Sequence, residues 1–271
     1  MIPTNPKIDD WRGLRVWLLG ASAGIGEALA LQLSARGARL ALSGRDAGRL
    51  DLLAGRCGNG ALALRCDASD CASVAAAWAE LVARWQGVDL GIYMAGAYVP
   101  LDPAGPAETV LPAARRMLAV NYGGALEFAG HLAPFLAARR DRGCRGIVLV
   151  ASVAGYGGLP RALGYGPTKA ALINLAECLH LELASRGVGV WVVNPGFVAT
   201  RLTAANDFPM PALISADAAA TEIVAGLAGG GFEIHFPKRF SRLVKFVARL
   251  PYWLQLRLVR RFAGARSELK E

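Results

Sequence analysis

Seven short apolar runs punctuate the chain: "LRVWLL" (14–19), "ARLALS" (38–43), "ALALRC" (61–66), "VDLGIYM" (88–94), "GIVLVAS" (146–152), "VGVWVVN" (188–194) and "FEIHF" (232–236). Several are apolar at successive rather than alternate positions, as in strands covered on both faces. Longer stretches between them, such as 24–36, 70–86, 108–138 and 164–186, carry helical patterns. Regular alternation of strand and helix implies right-handed crossovers and a parallel sheet. The predicted fold is α/β and doubly wound: seven parallel strands with helices on both faces. In such sheets ligands gather at the carboxyl ends of the strands, where strand order reverses. The residues that follow strands are therefore the ones to read for chemistry.

Composition sharpens this picture in three places. Apolar residues make up 54% of 271, enough for a substantial core. Five scattered cysteines, Cys57, Cys66, Cys71, Cys144 and Cys178, form no C-x-x-C pair. That argues against a disulfide framework or a metal site and fits a reducing, cytoplasmic compartment. The start, "MIPTNPKIDDWRG", lacks the charge and long apolar run of a signal peptide, and no uncharged apolar run demands a spanning helix of about 18 residues. Charge is uneven: from Phe236 onward there are ten Lys or Arg and two Glu, while the rest of the chain is almost neutral.

The first strand runs into "GASAGIG" (20–26) and then a helix. Gly20 permits the tight turn, Gly24 lets the backbone approach a ligand, and Gly26 allows close helix–sheet packing. The helix N-terminus then offers N–H groups and a positive dipole end to a pyrophosphate. After the second strand, "SGRDAGRL" places Gly44 and Arg45 where an NAD site wants an acid for the ribose 2′-hydroxyl. A guanidinium there suits a 2′-phosphate, which favours NADP(H) over NAD(H), although Asp46 stands close enough to neutralise it. Asp67, after the third strand, either lies near the adenine or caps the following helix.

"LGYGPTKAALINL" (163–175) sets Tyr165 and Lys169 one helical turn apart, on one face. Pro167 falls in the first turn, where it does no harm. With Ser152 thirteen residues before Tyr165, these pieces resemble the short-chain dehydrogenase/reductase family over about residues 12–236. "GASAGIG" resembles its cofactor loop, with Ser22 and Ile25 among the contacts, and "YMAG" (93–96) its segment after the fourth strand, with Ala95 and Gly96. "NPGFVAT" (194–200) resembles its Pro-Gly segment, so that Pro195, Gly196, Val198 and Thr200 would hold the nicotinamide end. Leu19 and Met94 depart from the family pattern, which usually has Thr and Asn there; both positions brace the cofactor loop.

The resemblance implies a Rossmann-type domain and a catalytic set of Asn121, Ser152, Tyr165 and Lys169. Tyr165 would exchange a proton with the substrate oxygen, and Lys169 would lower the Tyr165 pKa and bind the nicotinamide ribose. Ser152 would orient the substrate oxygen, and Asn121 would hold a water linking Lys169 to solvent. The three histidines, His131, His180 and His235, match no base position and read as structural.

Beyond residue 236, in the stretch 237–271, lies a basic amphipathic tail. Lys238, Arg242, Lys245 and Arg249 fall on one helical face, and Phe240, Leu243, Val244 and Val247 on the other. Pro251 should break that helix; a second then pairs Arg257, Arg260 and Arg261 with Leu254, Leu258 and Phe262. Such a tail suits a membrane interface, with 237–263 as the contact. Packing on the body or across a homodimer is the other reading of its apolar face, and nucleic acid is not an expected partner. The expected protein is an NADP(H)-dependent oxidoreductase, dimeric or tetrameric, that interconverts a hydrophobic carbonyl and a secondary alcohol at the inner face of a membrane. The segment 200–215 would form a lid over the substrate. The rival expectation is a non-catalytic dinucleotide-binding redox sensor or docking protein.

Overall fold

Trp17 and Leu18 are adjacent in the chain, both fully buried, and belong to different cores. That is the origin of the unbroken apolar runs: each strand lies between two layers and both of its faces need apolar side chains. The computed structural model describes residues 5–139, 143–204 and 210–264. Its strands are β1 (Arg15–Leu19), β2 (Arg39–Gly44), β3 (Leu62–Arg65), β4 (Leu90–Tyr93), β5 (Gly146–Val150), β6 (Gly189–Pro195) and β7 (Glu233–Phe236). All are parallel, in the order β3-β2-β1-β4-β5-β6-β7. The seven expected strands stand where their apolar runs lie, with ends shifted by at most two residues.

Helices α1 (Ile25–Ala35), α2 (Ala47–Cys57) and α8 (Ala216–Gly229) cover one face. Leu29, Leu33, Leu50 and Ile223 meet Val16, Leu18 and Trp191 there. On the other face lie α3 (Cys71–Trp85), α5 (Gly124–Ala138) and α6 (Tyr165–Leu183), with Phe128, Leu132 and Leu172 against Trp17, Ile147 and Val192. Each large apolar side chain buried in these layers contributes about 1.5–3 kcal/mol. At the amino-terminal end of the sheet, Asp89 accepts from the Arg15 backbone N–H at 2.8 Å, the Arg15 guanidinium at 2.9 and 3.1 Å, and Arg139 at 2.6 Å. Burial alone would raise the Asp89 pKa; these bonds outweigh it and hold the carboxyl below its ordinary value.

The stretch 108–138 is not one helix. It forms α4 (Ala107–Leu118) and α5, joined by a wide turn at 119–123 in which Gly124 N–H bonds the Ala119 carbonyl, five residues back. One extra residue in that turn rotates Asn121 into the interior, where it is fully buried.

Helix α7 (Arg201–Ala204) is the next element after β6, and past β7 come α9 (Lys238–Ala248) and α10 (Tyr252–Gly264), broken at Pro251 as expected. On α9 the basic and apolar faces separate less cleanly than expected: Lys245, of the basic face, turns inward to pair with Glu233, while Leu243, of the apolar face, is exposed. A half-buried carboxylate favours a cation beside it, and meeting it fixes the rotation of α9. Among the described residues, no helix is long and apolar enough to cross a membrane.

Candidate active site

Strand order reverses between β1 and β4, and a cleft of about 480 Å³ opens there at the carboxyl ends. Its floor is the glycine loop. Gly20 has φ +100°, and a Cβ on it would fall 2.5 Å from the Ala95 nitrogen. A Cβ on Gly26 would lie 2.1 Å from the Gly20 carbonyl. Glycine is therefore required at both positions by contact. Gly24 caps α1 without a side chain, leaving the first N–H groups of that helix, at Ile25 and Gly26, along the cleft. Despite Leu19 and Met94, the loop is braced by main-chain bonds: Gly20 and Ala21 N–H to the Ser43 carbonyl, and Met94 N–H to the Leu19 carbonyl.

Ser22 sits beneath the end of β2, its hydroxyl 3.3 Å from where a Cβ on Gly44 would stand. Arg45 is exposed at the rim. Asp46 does not neutralise it: that carboxylate accepts the Arg49 backbone N–H as the α2 cap and pairs with the Arg49 guanidinium at 3.1 Å. Asp67 lines the cleft and accepts from Ser69 N–H and hydroxyl at 2.9 and 2.7 Å; those bonds keep its pKa low. The cap of α3 is Asp70 instead, which accepts from Ala72 N–H at 3.0 Å. Arg116, not foreseen in the sequence, lines the same end of the cleft and adds positive charge near Asp67.

The other wall carries the predicted catalytic set. Ser152 follows β5 and caps a short turn, accepting from Ala154 N–H at 3.1 Å and donating to the Pro195 carbonyl at 3.4 Å, with the Tyr165 phenol on the same wall of the cleft. Tyr165 opens α6. Lys169, one turn on and buried, donates to the Val150 carbonyl at 2.9 Å with its ammonium 5.5 Å from the Tyr165 ring centre. The expected lowering of the Tyr165 pKa is corrected here: burial raises it to about 12, Ser152 pulls it down and Tyr98 adds to the rise. Burial also lowers Lys169 to about 7, so at neutral pH it lacks the full charge needed to hold a phenolate.

Asn121 donates to the Ala97 carbonyl and to the Thr168 hydroxyl, both at 3.0 Å, and accepts from Ala97 N–H at 2.7 Å. Its amide thus ties the Ala95–Ala97 turn to α6 and has no hydrogen left for a water. Gly96 lies against Asn121 and Lys169, with both about 3.8 Å from a Cβ placed on it.

Pro195, Gly196, Val198 and Thr200 complete the cleft. Thr200 closes over the glycine loop, its methyl 3.0 Å from the position of a Cβ on Gly24. Of the expected lid, 210–215 returns to this wall through Ala199 N–H to the Ile214 carbonyl at 2.8 Å, and 205–209 lies outside the described residues. The sequence also gave no weight to Tyr98, whose ring stands edge-on to Tyr165 at 5.2 Å. The available signal was an aromatic residue two positions after a cleft glycine.

His131 stacks on Trp78, His180 lies against Phe232, and His235 bonds Ser241 at 2.6 Å; none lines the cleft.

Residues 15–208 match the family model for the short chain dehydrogenase. The chain belongs to this family of oxidoreductases. A relative from Myxococcus xanthus (strain DK1622), an uncharacterized oxidoreductase, is 32% identical over 237 residues, 86% of this chain and 90% of that one. A family structure from Burkholderia phymatum in complex with NAD superposes with TM-score 0.78 at 23% identity, covering 88% of this chain and 94% of that one; the likeness is one of fold. A short-chain dehydrogenase from Sphingobium yanoikuyae in complex with NADPH gives 0.71 at 26% identity, over 85% and 91%.

Proposed function

We propose that this family member is an NADP(H)-dependent oxidoreductase that interconverts a carbonyl and a secondary alcohol on a hydrophobic substrate near a membrane surface. The observation that carries this reading is the convergence of Ser152, Tyr165 and Lys169, the last two one turn apart on α6, on the cleft floored by the glycine loop. Structural neighbours in complex with NADPH and with NAD support a nicotinamide dinucleotide as cofactor. When bound, it supplies or accepts the hydride. Arg45, with Asp46 turned to Arg49, favours the 2′-phosphate form.

The protein's own part is the proton. A buried phenol whose pKa is raised stays protonated at neutral pH and is ready to donate to a forming alkoxide. Ser152 orients the substrate oxygen and, standing near Tyr165, pulls the phenol pKa down and so favours the phenolate once the proton has left. Lys169, near neutrality, gains and loses a proton easily and suits a relay back to Tyr165. Asn121, whose two amide hydrogens are taken by Ala97 and Thr168, would hold a water on that path as an acceptor.

The apolar 200–215 segment supports a hydrophobic substrate, and the basic tail, 237–263, supports a place at the membrane. Unpaired cysteines among the described residues fit the cytoplasmic side. Half-exposed Leu111, Leu118 and Leu126 on α4 and α5 support a homo-oligomer. The deciding experiment is Tyr165→Phe, assayed with NADPH and a panel of lipophilic ketones. NADPH binding should persist while turnover falls by about 10²–10⁴-fold. Turnover close to wild type would overturn the reading.

A further inference from the structure

Helix α9 is held to the body by a polar clasp. Lys245 pairs with Glu233, whose carboxylate also accepts from the Tyr156 hydroxyl at 2.5 Å and from Asn194 at 2.8 Å. Ser241 is buried beside His235, and Phe240 packs on Phe197 with ring centres 5.6 Å apart. After Pro251, Gln255 of α10 is buried, with its amide against Gly157. Both helices therefore dock on the loop that leads from Ser152 towards Tyr165, and α9 docks also on Phe197 beside the cleft residue Gly196.

What they turn outward is unusual for a solvated surface. Leu243, Phe246, Tyr252, Trp253 and Leu256 are between 56% and 80% exposed. Arg239, Arg242, Arg249, Arg257, Arg260 and Arg261 are exposed among them, and no acidic residue occurs between Glu233 and Glu268. A second copy of this face would set cation against cation. An anionic bilayer meets both features, taking the aromatic and aliphatic groups at its headgroup boundary and the guanidinium groups on its phosphates.

We infer that the outward faces of α9 and α10 are an anionic-lipid docking surface, clamped through Lys245 and Glu233 so that the substrate side of the cleft is held at the bilayer. The inference rests on the proposed membrane-near oxidoreductase and names its partner and the route of its substrate. A carbonyl compound dissolved in lipid would reach Tyr165 without crossing bulk water.

The test is sedimentation of the full chain with phosphatidylcholine vesicles, with and without phosphatidylglycerol, while Trp253 emission is read against brominated lipid. Affinity should rise by about tenfold or more with phosphatidylglycerol and fall with salt, and Trp253 should be quenched. The doubly substituted Leu243→Glu, Phe246→Glu chain should lose binding yet keep NADPH affinity, because both positions are exposed and remote from the cleft lining. Trp253→Phe assigns the quenching signal. Binding without quenching, equal binding of the double variant, or no binding by wild type would each overturn the surface, as would burial of Trp253 in a dimer that ignores vesicles. Turnover in solution is scored separately. Vesicle binding by a chain with no turnover sinks the enzymatic reading alone, and turnover without vesicle binding sinks the surface alone.

Discussion

Lys169 gives its hydrogen bond to the Val150 carbonyl, 2.9 Å away, and its ammonium stands 5.5 Å from the centre of the Tyr165 ring. Burial without a carboxylate partner brings its pKa to about 7. Below that pH the lysine is charged and attracts an anionic dinucleotide; above it the charge is lost. NADPH affinity of the free protein should therefore fall as pH rises through about 7, and Lys169→Met should flatten the profile. Fluorescence titration from about pH 6 to about pH 9 checks this. A flat wild-type profile would remove Lys169 from the binding step.

Arg45 lies exposed at the cleft rim while Asp46 is engaged with Arg49. Arg45→Ala should weaken NADPH binding by about tenfold to a hundredfold, the worth of a charge-assisted hydrogen-bonded contact, and leave NADH nearly unchanged. Equal losses for both nucleotides would move the discrimination to another cation, with Arg116 and Arg49 the next to test.

Gly26→Ala places a methyl about 2.1 Å from the Gly20 carbonyl. Main chain cannot give way as a flexible side chain would, so the loop must shift. Loss of dinucleotide binding is expected, with a stability cost of about 1–3 kcal/mol or more. Isothermal titration together with thermal melting separates the two effects. Unimpaired NADPH binding by the variant would show that the loop tolerates what the geometry forbids.

Asp89 gathers Arg15 and Arg139 at the foot of β1 and β4. Its folded pKa lies below the unfolded value, so the stabilisation is present above about pH 4 and is lost as pH falls through the folded value. Asp89→Asn should cost about 3–5 kcal/mol at neutral pH, and the gap from wild type should close on acidification. Urea unfolding at several pH values measures both. A constant gap would mean that the cost is packing alone.

The strands were legible because burial on both faces writes itself as an unbroken apolar run. The glycine loop was legible because contact leaves no alternative at Gly20 and Gly26. What escaped the reading depends on one-residue geometry or on distant partners. The 108–138 stretch keeps a helical period, and nothing in its pattern marks the extra residue that turns Asn121 inward. Periodicity placed Lys245 correctly on α9 relative to its neighbours but could not fix the rotation of the helix, which Glu233 decides from twelve residues away. The pKa values of Tyr165 and Lys169 depend on how deeply the cleft buries them, and spacing is silent on depth. Tyr98 reaches Tyr165 only through the fold.

The amino-terminal segment has a practical consequence. Asn5 exchanges two hydrogen bonds with Val190 at the start of β6, and Ile8 N–H bonds Leu227. The tail leaves from Phe236, level with Pro195 at the other end of that strand. Five residue steps along the strand separate the two, about 16 Å. A dye, affinity handle or solid support attached at the exposed Lys7 would sit at the opposite pole of the sheet from the cleft and the basic helices. Single-molecule or sensor-chip work with lipid and nucleotide present together can be tethered from there without obstructing either.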